Sequence, residues 1–184
     1  MDQIQNFLGG NATHGGAYPA GGPRGDYDDD LQGAAEHASR HAGNSGDSDM
    51  FSNLLGFIGG KKQQLADEDI DEEAAVRHHQ QFFQGGDDGS PADSRSMGSA
   101  AAMQALKMFG GGSSGGGSQN EFIGLAMGEA SKLFDQKASQ GQASGSKESA
   151  VQQAGEMALK MYMKSQGGGG GGMGGLMSFA SKFM

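Results

Sequence analysis

The amino-acid sequence predicts an all-α protein in which short amphipathic helices pack as an antiparallel bundle or array, joined by glycine-rich flexible linkers. Segments with apolar residues at positions i, i+4, i+7 and i+8, the spacing of one helix face, recur along the chain. Glycine accounts for 36 of 184 residues and proline for only 3, and runs of glycine separate these segments. The glycines follow no three-residue period, which excludes a collagen-like chain.

The clearest helical segments form an internal repeat in the second half of the chain. Each copy begins with a small or apolar residue, followed by an alanine four positions later, a lysine six later and a bulky pair seven and eight later. Alanines four residues apart allow two helix backbones to approach closely, and a lysine near the end of a helix suits its macrodipole. Duplication, shared packing geometry and chance similarity all remain open as origins of the repeat. The four copies span residues 101–109, 126–134, 154–162 and 176–184.

Further helices are predicted in the first half of the chain. Residues 68–83 begin with acidic and end with basic side chains, as the helix macrodipole favours. Residues 31–42 are alanine-rich, residues 50–58 have the apolar spacing of the repeat, and a shorter relative occurs at 4–8. Because helices of this length are marginal alone in water, we expect them to pack against one another or against another chain.

Composition divides the chain into regions of different character. Low hydrophobicity and acidic charge do not favour collapse, and glycine–serine runs are typical of flexible linkers. The expected regions are a mostly disordered 1–30, a helical segment 31–84, an acidic linker 85–97, and a helical repeat region 98–184 with glycine-rich linkers at 110–118 and 167–175.

Charge and composition argue against several classes of protein. A formal net charge of −9 without a basic cluster argues against nucleic-acid binding. The absence of cysteine excludes disulfides and thiolate chemistry. No apolar run approaches the length of a bilayer span, and the first residues lack the features of a signal peptide. We therefore expect a cytoplasmic or nuclear location.

Catalytic motifs are not recognisable in the sequence, which contains no G-x-S-x-G element, no P-loop and no strand-led G-x-G-x-x-G. We expect no enzyme activity and no cofactor. His37 and His41 lie four residues apart on a predicted helix and are candidate metal ligands, although paired histidines on a polar helix are usually solvated. The acidic stretch 67–73 lacks the glycine and glutamate of a calcium loop and fits a helix start better. The pair 78–79 fits a surface helix better than acid–base chemistry.

The low content of large apolar residues predicts a small hydrophobic core and apolar surface that is buried against a partner. Apolar residues make up 35% of the chain, with 12 methionines and no tryptophan, so the surface is soft and adaptable. We therefore expect a non-enzymatic interaction or scaffold protein that self-associates or binds another protein. The expected interaction face comprises Leu54, Phe57, Phe109, Phe134, Tyr162 and Phe183.

Two alternative functions remain open. Residues 173–184 combine Leu, Phe and Met on one face with Lys182, a pattern that suits a membrane surface, although the acidic chain would be repelled by anionic lipids. A hydrophilic stress-protective protein that gains helix on drying would share the glycine-rich, cysteine-free composition. The recurrent aromatic pairs do not fit that second alternative.

Five segments carry a family resemblance, at residues 29–43, 46–52, 100–109, 119–135 and 151–162. They resemble a glycine-rich family of fungal proteins called beta-flanking proteins, which contain a domain of unknown function. These segments cover most of the chain from about residue 28 onward, and the resemblance implies a fungal source and a chain that forms one unit. It implies no activity, cofactor or site residue.

Overall fold

The computed structural model describes residues 29–85, 89–111 and 118–167. Within these ranges the chain is helical, and the extended pairing is limited to one parallel bridge between Ala92 and Ala143. The all-α prediction is confirmed. The helices are α1 (Asp29–Ala42), α2 (Ser48–Gly60), α3 (Lys62–Asp67), α4 (Glu72–Phe83), α5 (Ser94–Gly111), α6 (Gln119–Ser139) and α7 (Lys147–Gly167), with a short 3₁₀ turn at Gly43–Ser45.

Three of the four repeat copies lie in helices α5, α6 and α7. The predicted helix 31–42 corresponds to α1, and 50–58 lies within α2. Several predictions fall outside the described residues, namely the segment 1–28 with its helical pattern at 4–8, the linker 168–175 and the fourth repeat copy 176–184.

The fourth helix begins later than the sequence pattern predicts. Charge patterning predicts a helix over 68–83, whereas α4 begins at Glu72. The carboxylate of Asp71 accepts a hydrogen bond from the backbone N–H of Ala74 at 2.9 Å, which is the geometry of an N-cap. Glu68 instead forms an ion pair with Lys160 of α7, with 2.6 Å between Nζ and Oε2.

The fifth helix begins earlier than predicted and takes up the end of the expected acidic linker 85–97. It starts at Ser94, where the carboxylate of Asp93 accepts a hydrogen bond from the backbone N–H of Ser96 at 2.8 Å. The side chain of Met97 is fully buried. A helical cap and an anchored apolar side chain therefore order a stretch whose polar composition predicts a linker.

Three pairs of successive helices, α1 and α2, α5 and α6, and α6 and α7, run in opposite directions. The ring of Phe109 at the end of α5 lies 5.3 Å from the ring of Phe122 at the start of α6. Asp135 near the end of α6 pairs with Lys147 at the start of α7, with 2.7 Å between Nζ and Oδ1. Leu31 of α1 lies beside Gly59 near the end of α2. These contacts give the antiparallel arrangement expected of a helical bundle.

The last two helices occupy the centre of the bundle. Helices α1 and α5 pack on α6, and helices α2, α3 and α5 pack on α7. Helix α4 packs on the other side of α5. The N-terminal and middle parts of the chain therefore come together mainly through α6 and α7.

Small residues form the contact faces of the central helices, as the repeat predicts. Alanines supply much of the core, and no larger side chain would allow comparable approach of the backbones. The repeat alanines are each fully buried, at Ala101, Ala105, Ala126, Ala130, Ala154 and Ala158.

Glycines mark the closest crossings between helices. A Cβ placed on Gly124 of α6 would lie 2.5 Å from Cβ of His37 and 2.7 Å from the carbonyl oxygen of Ala34, both in α1. A Cβ on Gly98 of α5 would lie 2.9 Å from the backbone nitrogen of Ala154 in α7. Only glycine permits these backbone distances without displacement of the neighbouring helix.

Candidate functional site

Helix α2 has one buried face and one open face. Phe51, Leu55 and Ile58 point into the core and are at most 3% exposed. The opposite side carries the residues that we call the α2 outer face: Asn53, Gly56, Phe57 and Gly60, all exposed, with half-buried Met50 and Leu54 along one edge. At 49% exposure, Phe57 is the most accessible large apolar side chain among the described residues.

The α2 outer face has the spacing of a helix–helix contact. Positions 49, 53, 56 and 60 follow intervals of four, three and four residues, which places them along one seam of a helix. A Cβ placed on Gly56 or Gly60 would have no heavy atom of residues 29–85, 89–111 or 118–167 within 4 Å. The seam therefore carries small residues at 56 and 60, which leave room for another helix to approach the backbone of α2 closely.

Charge is confined to the two ends of α2. Residues 50–60 contain no charged side chain. Asp47 and Asp49 lie at the start of the helix, and Lys61 and Lys62 follow its end. The ammonium of Lys61 lies 4.4 Å from the ring centroid of Phe57, within the range of a cation–π contact. The outer face is thus an uncharged strip with an acidic start and a basic end.

The structure separates the residues of the predicted interaction face. Phe109 is 9% exposed and packs against Phe122 in the core, so it is not accessible in this fold. Phe134 and Tyr162 are half-buried, and Phe183 lies outside the described residues. Leu54 and Phe57 both lie on the α2 outer face, with Phe57 exposed and Leu54 half-buried at its edge.

The two candidate metal ligands have separate surroundings. Nε2 of His41 donates a hydrogen bond to Oε1 of Glu129 at 2.5 Å, and Nζ of Lys132 lies 3.1 Å from the same oxygen. Cβ of His37 instead faces Gly124 at the crossing of α1 and α6. His41 therefore links α1 to α6 through a carboxylate, and His37 takes part in their packing.

His79 is buried, although its sequence context predicts a surface position. It is 4% exposed, its Nε2 donates to Oε1 of Gln104 at 2.8 Å, and its ring stacks on Phe83 with 5.3 Å between centroids. Burial lowers the pKa of His79 below its usual value; the hydrogen bond to Gln104 opposes this shift and the charge of Lys107 adds to it. The spacing of Ala75, His79 and Phe83 on one side of α4 is the signal that indicates burial.

Lys137 is a buried cation that the repeat pattern does not reveal. It is 2% exposed, with its Nζ 3.2 Å from Oε1 of Gln142 and 5.4 Å from the ring centroid of Phe82. Its backbone carbonyl accepts a hydrogen bond from the backbone N–H of Gln142 at 2.9 Å. These contacts hold the connection between α6 and α7 and place one side of α4 against it.

Among residues 29–85, 89–111 and 118–167, no three His, Cys, Asp or Glu side chains come close enough to hold a metal ion together. None of the helices in these ranges combines the length and the hydropathy needed to cross a bilayer.

Comparison with known proteins gives one family match. A family model described as a domain of unknown function (DUF7721) matches residues 30–114, slightly less than half of the chain. The matched segment covers α1 to α5 and stops before α6 and α7, on which α1, α2 and α5 pack. No curated protein and no solved structure matches the chain. The chain therefore contains a region similar to a domain of unknown function, and its resemblance to fungal beta-flanking proteins stays a prediction.

Proposed function

We propose that this chain is a non-enzymatic helical interaction protein that associates with a second copy of itself through the α2 outer face. The observation that carries the proposal is the exposure of Phe57 on the α2 outer face, within a stretch of the helix, residues 50–60, that carries no charge. Aromatic side chains, phenylalanine included, are enriched at protein interfaces relative to the rest of the protein surface. Among the described helices, none packs over Gly56 or Gly60 of this face.

Charge supports the choice of this face for self-association. A chain with a net charge of −9 repels its own copies, and this repulsion opposes association through most of an acidic surface. The stretch 50–60 carries no charge, so two copies can meet there without bringing like charges into direct contact. The α2 outer face is thus a place where the chain can approach itself at low electrostatic cost.

The expected complex is weak and reversible. Stable interfaces bury about 800 Å² on each partner, more than one 13-residue helix with a single open face can supply. Association is therefore expected in the micromolar range or weaker, so that its extent depends on protein concentration. Methionine and leucine at the edge of the face can adjust their side chains to the second copy.

Sedimentation velocity over a concentration series tests this function. The wild-type sedimentation coefficient should rise with concentration, and Asn53→Lys should abolish the rise because it places charge in the seam. Gln136→Lys is the matched control, since it adds the same charge at an exposed position of α6 and should behave like the wild type. Both variants reduce the net negative charge, so nonspecific repulsion cannot explain a loss in Asn53→Lys alone.

Two results would overturn the proposal. A wild-type coefficient that stays at the monomer value up to millimolar concentration would show that the chain does not self-associate. Equal behaviour of Asn53→Lys and Gln136→Lys would show that association, if present, uses another surface.

A further inference from the structure

We propose that two copies pair their α2 helices antiparallel, about a two-fold axis that passes between Asn53 and Gly56. This inference rests on the self-association proposed above and specifies its geometry. The relevant observation is the unequal distribution of charge along α2, with acidic residues at the start and lysines after the end.

The charges favour one orientation of the two helices. Asp49 and Lys61 are separated by twelve residues, or about 18 Å along a helix. In an antiparallel pair, Asp49 of one copy lies beside the partner's Lys61, and the two-fold axis forms this pair twice. In a parallel pair, each charge lies beside its own equivalent and is repelled. The opposed macrodipoles of antiparallel helices add to the same preference.

The seam supports the same register. Antiparallel pairing about the middle of α2 brings position 49 opposite position 60 of the second copy, and position 53 opposite position 56. The glycines at 56 and 60 leave room for close approach of the backbones, because no described residue has an atom within 4 Å of where a Cβ on either glycine would be. Phe57 then lies across the axis from the partner's Asn53.

The symmetry of this arrangement limits its size. Each copy uses the same patch, so the contact is closed and gives a dimer rather than a filament. A dimer also leaves the buried face of α2, with Phe51 and Ile58, unchanged in the monomer core.

Charge reversal is the first test. Asp49→Lys and Lys61→Asp should each weaken the dimer roughly tenfold, because each variant turns two attractive pairs into repulsive ones. The double variant, carrying both substitutions, should recover most of the wild-type affinity. Lys61 also lies 3.4 Å from Glu156, so Lys61→Asp has a cost within the monomer; this cost persists in the double variant, and recovery there can come only from the dimer contact.

Cross-linking gives the orientation independently. The chain has no cysteine, so single cysteines can be introduced without background. With a short bismaleimide, Asp49→Cys mixed with Gly60→Cys should give a cross-linked heterodimer, and either variant alone should cross-link poorly. Cross-linking of each variant with itself would indicate parallel helices.

The outcomes separate this inference from the function on which it rests. Concentration-dependent association with cross-links of each variant to itself, or without recovery in the double variant, would overturn the antiparallel geometry and leave self-association intact. A wild-type chain that stays monomeric would overturn both.

Discussion

Helices α6 and α2 contain the same small-residue motif in opposite environments. Each has two glycines four residues apart, Gly124 and Gly128 in α6 and Gly56 and Gly60 in α2. In α6 the space over Gly124 is filled by α1, with Cβ of His37 2.5 Å from where a Cβ would lie. In α2 no atom from the described part of the chain lies within 4 Å of where a Cβ on either glycine would be. The motif is therefore occupied at the centre of the bundle and open at its edge.

The number of neighbouring helices explains the difference between the two small-residue faces. Helix α6 is packed by α1, α5 and α7, whereas α2 packs on α1 and α7 from one side. In α6, at the centre, glycines and alanines allow the neighbouring helices to approach closely. In α2, at the edge, no described helix packs on the equivalent face. The comparison can be tested by changing equivalent residues on the filled and the open faces.

The two phenylalanines on opposite sides of α2 provide the largest expected contrast. Phe51→Ala should lower the free energy of unfolding by about 3–5 kcal/mol, because it leaves a cavity where a fully buried ring was removed. Phe57→Ala, at a site that is 49% exposed, should change it by less than about 1 kcal/mol. Urea denaturation followed by circular dichroism measures both values.

Self-association should respond in the reverse order. Phe57→Ala should reduce the concentration dependence of the sedimentation coefficient while leaving the monomer folded. A loss of unfolding free energy in Phe57→Ala as large as that of Phe51→Ala would mean that the two faces of α2 do not differ.

The glycines provide the next contrast, with opposite signs. Gly124→Ala should lower the free energy of unfolding by about 1–3 kcal/mol, since the added methyl group would overlap Cβ of His37 and the carbonyl oxygen of Ala34. Gly56→Ala should raise it by about 0.5–1 kcal/mol, because alanine in an open helical position restricts the unfolded chain. Thermal unfolding of the two variants beside the wild type measures the difference, and a decrease in both would contradict an open α2 face.

Much of the fold was predictable because helix formation is a local property. The spacing of apolar residues and alanines over 101–109, 126–134 and 154–162 predicts helices with small-residue faces, and the structure buries those alanines fully. The boundary of α4 was misplaced because several acidic residues precede it and any of them could have capped the helix. Asp71 does so, and Glu68 is instead paired with Lys160 of α7, a contact between residues far apart in the chain.

The partners of each face were not predictable, because they depend on residues far apart in the chain. The bulky pairs illustrate this: Phe109 is the buried member in α5, whereas Leu133 and Met161 are the buried members in α6 and α7. The second member of the pair is thus buried in α5, whereas the first member is buried in α6 and α7. The open face of α2 was likewise only partly predictable. The sequence predicted Leu54 and Phe57 as interaction residues, but it did not predict that none of the described helices would pack over Gly56.

The smallest expected effect is the pH dependence of stability that the buried side chain of His79 causes. Burial lowers the pKa of His79 in the folded chain. In the unfolded chain the histidine has its ordinary pKa of about 6.5, so there is a pH range in which the unfolded chain takes up a proton and the folded chain keeps the ring neutral. The contribution of His79 to stability is therefore complete above about pH 6.5 and is lost as the pH falls towards the lowered folded pKa. The slope from one such group is at most about 1.4 kcal/mol per pH unit.

The variant His79→Gln separates this contribution from other titrations. It removes the titrating ring and keeps a side chain that can donate to Gln104, so the decline in melting temperature between pH 7.5 and 5.5 should become shallower than in the wild type. Part of the decline should persist, because burial also lowers the pKa of His78. An unchanged slope in His79→Gln would show that water reaches the space between α4 and α5, and the contrast between a closed interior and an open α2 face would then be weaker than the packing indicates.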